Sequence, residues 1–290
     1  MKTITLKAHA KINLFLAVHD RRADGYHNLD SVMHSISLHD DVTISIAPTD
    51  IAKITLTCSD SSIPRDSKNT AYRAAAAFMQ AIDSNYDVHI HIEKHIPSRA
   101  GLGGGSADAA TVLRGINKLC ENPLSIEKLC EVGATIGADV PFCVLGNCAH
   151  ATGIGEILRP LPAMSPDLHL VIAMGAEGVS TPDAYRALAE IRANSNIPYS
   201  DSSFLRTALF NNDSASLLNA LYNDFESVVL HPAHDSTIIK QSMIDGGANG
   251  ALLSGSGAAV FGIFTCPQIA ENAQKTLLSH GYFAELARPI

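Results

Sequence analysis

The residues with the plainest chemical promise are Gly101-Leu102-Gly103-Gly104-Gly105-Ser106, a glycine run that follows an alternating stretch, Val88, Ile90 and Ile92. Beyond it, Ala109, Ala110, Val112, Leu113, Ile116 and Leu119 form an apolar helical stripe. Strand, glycine turn and helix in that order aim free backbone N–H groups at an anion, and the helix dipole adds partial positive charge there. The run lacks the Gly-Lys-Ser/Thr ending of a P-loop, and Ser106 stands where a dinucleotide fingerprint has its third glycine. Taken alone, it suits either a phosphate cradle or a turn whose glycines serve tight packing.

The elements that must position such a turn come from a chain of 290 residues, near the size at which one core divides, so two lobes are expected, with a single large α/β domain as the alternative. The composition, 46% hydrophobic and 17% charged, is that of a globular protein able to bury a sizeable core. A formal net charge of −8 argues against a nucleic-acid partner, which needs many Lys and Arg contacts to phosphate, so an anionic ligand has to be held by local features. Cys58, Cys120, Cys130, Cys143, Cys148 and Cys266 form no C-x-x-C pair, and reduced thiols in a cytoplasmic protein are the simplest expectation. At the amino terminus, Lys11 and Asn13 interrupt the apolar segment that a signal peptide needs, so this segment is expected in the mature protein. The longest mostly apolar stretch, residues 251–264, is too short and too rich in Ser and Gly to span a bilayer, so no membrane partner is expected.

Alternation predicts strands at Ile4 and Leu6, at Val42, Ile44 and Ile46, and at Ile54 and Leu56, and an alanine-rich helix over residues 69–81 follows them. Three prolines in residues 160–166 predict an irregular break and a lobe boundary. After it come a buried strand over 168–174, helices near 182–192, 205–209 and 214–222, a strand over 258–264 and a helix over 267–280. Residues 194–203 are polar and predicted to be an exposed loop. His89, His91 and His95 suggest a metal site, but alternation with Val88, Ile90 and Ile92 puts the first two on the polar face of a strand.

The wider segment from Pro97 to Ala110, Pro-Ser-Arg-Ala-Gly-Leu-Gly-Gly-Gly-Ser-Ala-Asp-Ala-Ala, resembles the phosphate-binding signature of the GHMP kinases. Lys11-Ile12-Asn13-Leu14 and Leu253-Ser254-Gly255-Ser256-Gly257 fit the same family in the same order. The resemblance implies an α+β two-lobed GHMP kinase fold, with an N-terminal lobe like ribosomal protein S5 over residues 1–158 and a ferredoxin-like C-terminal lobe over 159–290, and the site in the cleft between them. It narrows at Asp24-Gly25-Tyr26-His27-Asn28-Leu29, Gly137-Ala138-Asp139-Val140-Pro141-Phe142, Gly153-Ile154-Gly155-Glu156 and Asn223-Asp224-Phe225-Glu226. These resemble the branch whose acceptor is a cytidine diphosphate derivative of methylerythritol, in the non-mevalonate route to isoprenoid precursors. The sequence departs from the pattern at Leu253, where Met is expected, and at Ala107, where Ser is common.

By this resemblance Asp139 would be the base that takes the acceptor hydroxyl proton, and Lys11 would stabilise charge on the attacking oxygen and the γ-phosphoryl group. From spacing alone, Lys11 suits equally a solvated lysine, and Asp139 a helix or turn cap. Tyr26 and His27 are candidates for holding the cytosine, Tyr185 in Thr181-Pro182-Asp183-Ala184-Tyr185 for closing over it, and Asn13 for touching substrate beside Lys11. Tyr26 also suits a plain turn tyrosine, and Tyr185 a buried helical aromatic. Asn69, Lys94, Pro97, the Gly101–Ser106 run and Ala107 are expected around ATP. Mg²⁺ would arrive with ATP, keep several waters and touch Ser106.

Overall fold

The computed structural model describes residues 1–176, 179–193, 199–231 and 234–290. The alternating start of the chain forms two long strands, β1 (Lys2–Arg21) and β2 (His27–Pro48), joined through a turn in which Gly25 has a φ of +89°. There follow β3 (Lys53–Cys58), α1 (Thr70–Ala81), β4 (Tyr86–Glu93), α2 (Gly104–Leu119), α3 (Ile126–Ala134), α4 (Val140–Leu145), β5 (Cys148–Thr152), β6 (Ile157–Leu161) and β7 (His169–Met174). The remainder holds α5 (Thr181–Ala193), α6 (Ser203–Phe210), α7 (Ser214–Asn219), β8 (Tyr222–Asn223), α8 (Glu226–Val229), α9 (Asp235–Asp245), β9 (Gly250–Leu253), β10 (Val260–Phe264), α10 (Pro267–Ser279) and β11 (Phe283–Ala287).

One compact unit comprises residues 1–10, 39–97 and 103–146. In it the end of β2 runs antiparallel to β4, with Val42 opposite Ile92, Ile44 opposite Ile90 and Ile46 opposite Val88, while β3 runs parallel to β4. The six β2 and β4 residues are buried on one face, each such side chain contributing roughly 1.5–3 kcal/mol of burial. The opposite face carries His89 and His91, exposed beside Asp87 at 3.3 Å and Glu93 at 3.7 Å. Asn69 starts α1 by accepting the N–H of Ala71 at 2.8 Å, the role its short polar side chain favours. α2 packs against α1, and it lies so close to β2 at Gly115 that a Cβ there would sit 2.2 Å from Ile44 Cδ1.

The other unit comprises residues 11–38, 98–102 and 147–290. Here β1 pairs in parallel with β8, β2 pairs antiparallel with β5, and β5 with β6. A second sheet has the antiparallel order β11-β7-β10-β9. Numbered in chain order these strands lie 4-1-3-2, with helices between the first and second and between the third and fourth, which is the split βαβ arrangement of ferredoxin-like domains. Val171, Ala173, Val260 and Phe264 of that sheet share a core with Ile239 and Met243 of α9 and Leu277 of α10.

The break predicted at residues 160–166 begins inside an ordered strand. Pro160 sits in β6, opposite Ala149 of β5, and among the described residues β6 pairs with no other strand, so the N–H that proline lacks is not needed. The helix predicted over 214–222 ends at Asn219, and Tyr222 belongs to β8. Of the loop predicted over 194–203, residues 194–198 lie outside the described residues and Ser203 begins α6.

Candidate active site

In the first unit the glycine run opens α2. Gly103 occupies its N-cap with a φ of +71° and no side chain caps the helix, so the first N–H groups of α2 meet no capping side chain and suit an anion. Thr70 Oγ1 donates to the carbonyl of Gly105 at 2.6 Å, tying the loop to the start of α1. Beside it Asn69, buried, caps α1 and donates from Nδ2 to the carbonyl of Pro64 at 2.8 Å. Ala107 is buried behind the run, Ser106 is half-buried in the first turn of α2, and Pro97 leads into the signature.

Lys94 lies under the loop: a Cβ on Gly104 would stand 3.4 Å from its Nζ. That ammonium donates to Asp40 and, at 3.0 Å, to Oδ2 of Asp108, while Oδ1 of Asp40 accepts the N–H groups of His95 at 2.6 Å and Ile96 at 2.8 Å. Burial works against the charge on Lys94, but Asp108 and Asp40 outweigh it and hold its pKa above the ordinary value. For Asp108 burial dominates, the charge of Asp40 adds to it, and the carboxyl is pushed up to about 7 despite Lys94. Its Oδ1 is buried without a hydrogen-bond partner.

Asp139 stands at the N-cap of α4, half-buried, with Val140 and Phe142 fully buried after it. Its side chain makes no capping hydrogen bond, so the cap alternative loses its usual physical basis.

The second unit holds two motifs of the family resemblance, residues 11–14 and 253–257, together with Gly101 and Leu102 at the start of the glycine run. Lys11 is only 4% exposed, and its Nζ donates to Asn13 Oδ1 at 2.7 Å and to the carbonyl of Gly101 at 2.9 Å. Its backbone N–H donates to the carbonyl of Leu102 at 3.0 Å. Asn13 in turn donates to Ser31 Oγ at 2.9 Å, which donates to the carbonyl of Phe15 at 2.8 Å, so the amide that holds Lys11 is itself oriented. Gly101 has a φ of +77°, and a Cβ there would lie 2.0 Å from the carbonyl oxygen of Ser254. Ser254 Oγ donates to the carbonyl of Gly101 at 3.0 Å, and Asn223 Nδ2 holds the carbonyls of Leu253 and Gly255 at 2.7 and 2.8 Å.

The same unit assembles an aromatic group. The His27 ring lies 5.4 Å from that of Tyr185, which meets Phe225 edge-on at 4.8 Å, and His27 Nδ1 is 2.8 Å from the carbonyl of His19. Thr181 and Ser256 share a hydroxyl hydrogen bond of 2.8 Å. Tyr26 is 60% exposed and stands apart from these contacts. Sequence reasoning did not single out Asp40, Asp108, Ser31 or Phe225; Phe225 lay within a quoted motif, whereas Asp40 looked like any acid beside a strand. Lys11 falls in one compact unit and Asp139 in the other.

Residues 69–147 match the family described as GHMP kinases N terminal domain. The chain is 42% identical to the 4-diphosphocytidyl-2-C-methyl-D-erythritol kinase of Desulfitobacterium hafniense (strain Y51), over 92% of this chain and 89% of that one. It is 42% identical to the kinase of the same name from Geobacter metallireducens, over 96% and 95%. A crystal structure of 4-(cytidine 5'-diphospho)-2C-methyl-D-erythritol kinase superposes with a TM-score of 0.79 at 32% identity, covering 98% of this chain and 99% of that chain. A mevalonate kinase in complex with R-mevalonate shares the fold, with a TM-score of 0.76 at 16% identity over 99% and 97%.

Proposed function

We propose, since the chain belongs to the 4-diphosphocytidyl-2-C-methyl-D-erythritol kinase family of GHMP kinases, that it moves the γ-phosphoryl group of ATP to the C2 hydroxyl of that cytidine diphosphate compound, giving the 2-phosphate and ADP. The observation that carries the reading is the buried ammonium of Lys11, fixed by Asn13 and by the first carbonyl of the glycine run. A cation held there without freedom to swing is suited to charge that develops on transferred phosphoryl oxygens. Asp139 acts as the base for the acceptor hydroxyl, and its missing capping bond leaves that role compatible with its place at α4.

The uncapped start of α2 receives the ATP phosphates, with Lys94 and Asn69 at the nucleotide and Pro97, Leu102 and Ala107 shaping the loop. Mg²⁺ enters with ATP. Among the described residues the Ser106 hydroxyl has no hydrogen-bond partner, and one hard oxygen donor fits an ion whose other ligands are phosphate and water. His27 and Tyr185 bracket the cytosine, with Thr181 fixing the start of α5 and Tyr26 covering the base from its exposed position. The reading includes a cytoplasmic enzyme divided into lobes at residue 158; among the described residues no helix is long and apolar enough to cross a membrane.

Asp139→Asn should abolish turnover in a coupled ADP-release assay while ATP affinity stays nearly unchanged. Substantial residual activity would remove Asp139 from the base role. In a substrate panel, turnover that depends on the cytidine group supports the acceptor assignment, and equal turnover of a bare alcohol rejects it.

A further inference from the structure

We propose that Arg192 and Asp224 are positioning residues for the acceptor: their ion pair fixes α5, and with it the place of Tyr185 beside His27. The inference rests on the reading that these two rings bracket the cytosine. Thr181, Ala184, Tyr185, Leu188 and Arg192 recur at three- and four-residue intervals and so share one stripe of α5, about 16 Å long. Ala184 and Leu188 are the buried residues of this 13-residue helix, little apolar contact to hold it in one place. The rest of the stripe supplies ties. Thr181 shares a hydrogen bond of 2.8 Å with Ser256, Tyr185 meets Phe225 edge-on at 4.8 Å, and Arg192 pairs with Asp224. Asp224 and Phe225 are neighbours, so one point of the chain holds both the middle and the end of α5.

The carboxylate of Asp224 is anchored independently of α5. Its Oδ2 accepts the N–H of Val18 in β1 at 2.6 Å and its Oδ1 the hydroxyl of Tyr222 in β8 at 2.6 Å, while its backbone N–H donates to the carbonyl of Leu16 at 3.0 Å. The carboxylate end of the pair is thus fixed by the sheet, and the pair decides where the last turn of α5 comes to rest. With side chains 22% and 7% exposed, Arg192 and Asp224 are partly desolvated and weakly screened. The pair between Arg186 and Asp183 on the same helix, 70% and 58% exposed, contributes little by comparison. Arg192 also stands behind the other ring. Its guanidinium lies 4.9 Å over Tyr199, which stacks at 4.9 Å on His19, whose carbonyl is 2.8 Å from His27 Nδ1. One side chain, about two turns along the helix from Tyr185, therefore supports both sides of the bracket.

The test compares Arg192→Gln, Asp224→Asn, the double variant and Arg192→Lys with the parent, and uses Arg186→Gln as the control that breaks the exposed pair on the same helix. Calorimetry with cytidine diphosphate as the probe reads affinity on the acceptor side, and steady-state kinetics read kcat and KM for each substrate. Arg192→Gln and Asp224→Asn should each lose roughly ten-fold in cytidine diphosphate affinity, with a matching rise in acceptor KM. The double variant should lose no more than either single one, because both remove the same interaction. Arg192→Lys should recover part of the loss, Arg186→Gln should match the parent, and kcat and KM for ATP should stay within about two-fold throughout. A pair that only holds the fold together would raise both KM values or lower kcat along with thermal stability, and that result overturns the inference. Unchanged affinity in Arg192→Gln, or additive losses in the double variant, overturns it too. Should Asp224→Asn fold poorly, Arg192→Gln, altered at a half-buried position, still decides the question. A parent that does not bind cytidine diphosphate rejects the acceptor reading and this inference with it, whereas a parent that binds it no more tightly than Arg192→Gln rejects the inference alone.

Discussion

Two cations border α2 in opposite company, the ammonium of Lys94 at its start and the half-buried guanidinium of Arg114 further along. At the start, the ammonium of Lys94 meets two carboxylates, Asp40 and Asp108, more negative charge than it can neutralise. Toward the other end, the guanidinium of Arg114 makes, among the described residues, one hydrogen bond, to the Thr111 hydroxyl, with Cys143 nearby. The first group is closed within the chain: removing Lys94 leaves two carboxylates without their cation in a low-dielectric setting. The second has no ion pair among the described residues. The difference separates a cation held in an ion-pair network beside the glycine loop from one held by a neutral hydrogen bond.

The largest effect that could break this contrast is Lys94→Met, which leaves Asp40 and Asp108 facing each other without a cation. A loss of about 3–5 kcal/mol in urea unfolding is expected, the usual result of stripping one partner from a buried pair. A loss under about 1 kcal/mol would mean that the carboxylates carry little charge and that the group is not closed in the sense argued.

Asp108→Asn comes next. The folded-state pKa of Asp108, about 7, lies above its ordinary 3.8, so the native state holds the proton more tightly. Its stabilising contribution is therefore complete below about pH 4 and is lost as pH rises through 7. The Asn protein should lack that fall, and at pH 8 it should exceed the parent by about 1–3 kcal/mol, because a like charge beside Asp40 has gone. A parent whose stability rises between pH 4 and 7, with the difference absent in Asp108→Asn, would reverse the assignment.

A smaller effect is expected at Asn69, which precedes the loop-tying Thr70 and whose side chain makes neutral hydrogen bonds to Ala71 and Pro64. Asn69→Ala removes the cap of α1 and its bond to Pro64, and about 1 kcal/mol is expected from thermal unfolding. If it matched Lys94→Met, capping rather than charge would set the stability of this region.

These groups also mark how far the sequence could be read. The glycine run, Lys11 and residues 253–257 are contiguous motifs, so their types and order survive in one dimension, and the structure brings them within hydrogen-bond distance of one another. Periodicity found β4, α1, α2 and α10, because each buries one regular face, while β7 and β10, buried on both faces, were found as short apolar runs. It missed α3, α4 and α9, which are short or, for α9, weakly amphipathic, and it missed β6, where a proline on an edge strand looked like a break. Asp40 and Asp108 were illegible for another reason: their partner Lys94 lies 54 and 14 residues away, and only the folded backbone shows that three charges share one site. The compact units were illegible too, since β1 and β2 each run through both of them.

The smallest expected effect is the sharpest test. Arg114→Met keeps the apolar stem of the side chain while removing its guanidinium, and among the described residues one hydrogen bond of 3.2 Å goes with it. The lost bond contributes about 1 kcal/mol, while relief from a desolvated, unpaired charge acts in the opposite direction. Unfolding stability should thus stay within about 1 kcal/mol of the parent, several kcal/mol better than Lys94→Met, although both remove one cation bordering the same helix. Thr111→Val serves as the control, since it deletes the hydroxyl acceptor and leaves the guanidinium in place. If Arg114→Met lost more than about 2 kcal/mol and Thr111→Val lost as much, the bond between them would hold the helix, and the two ends of α2 would differ in degree only.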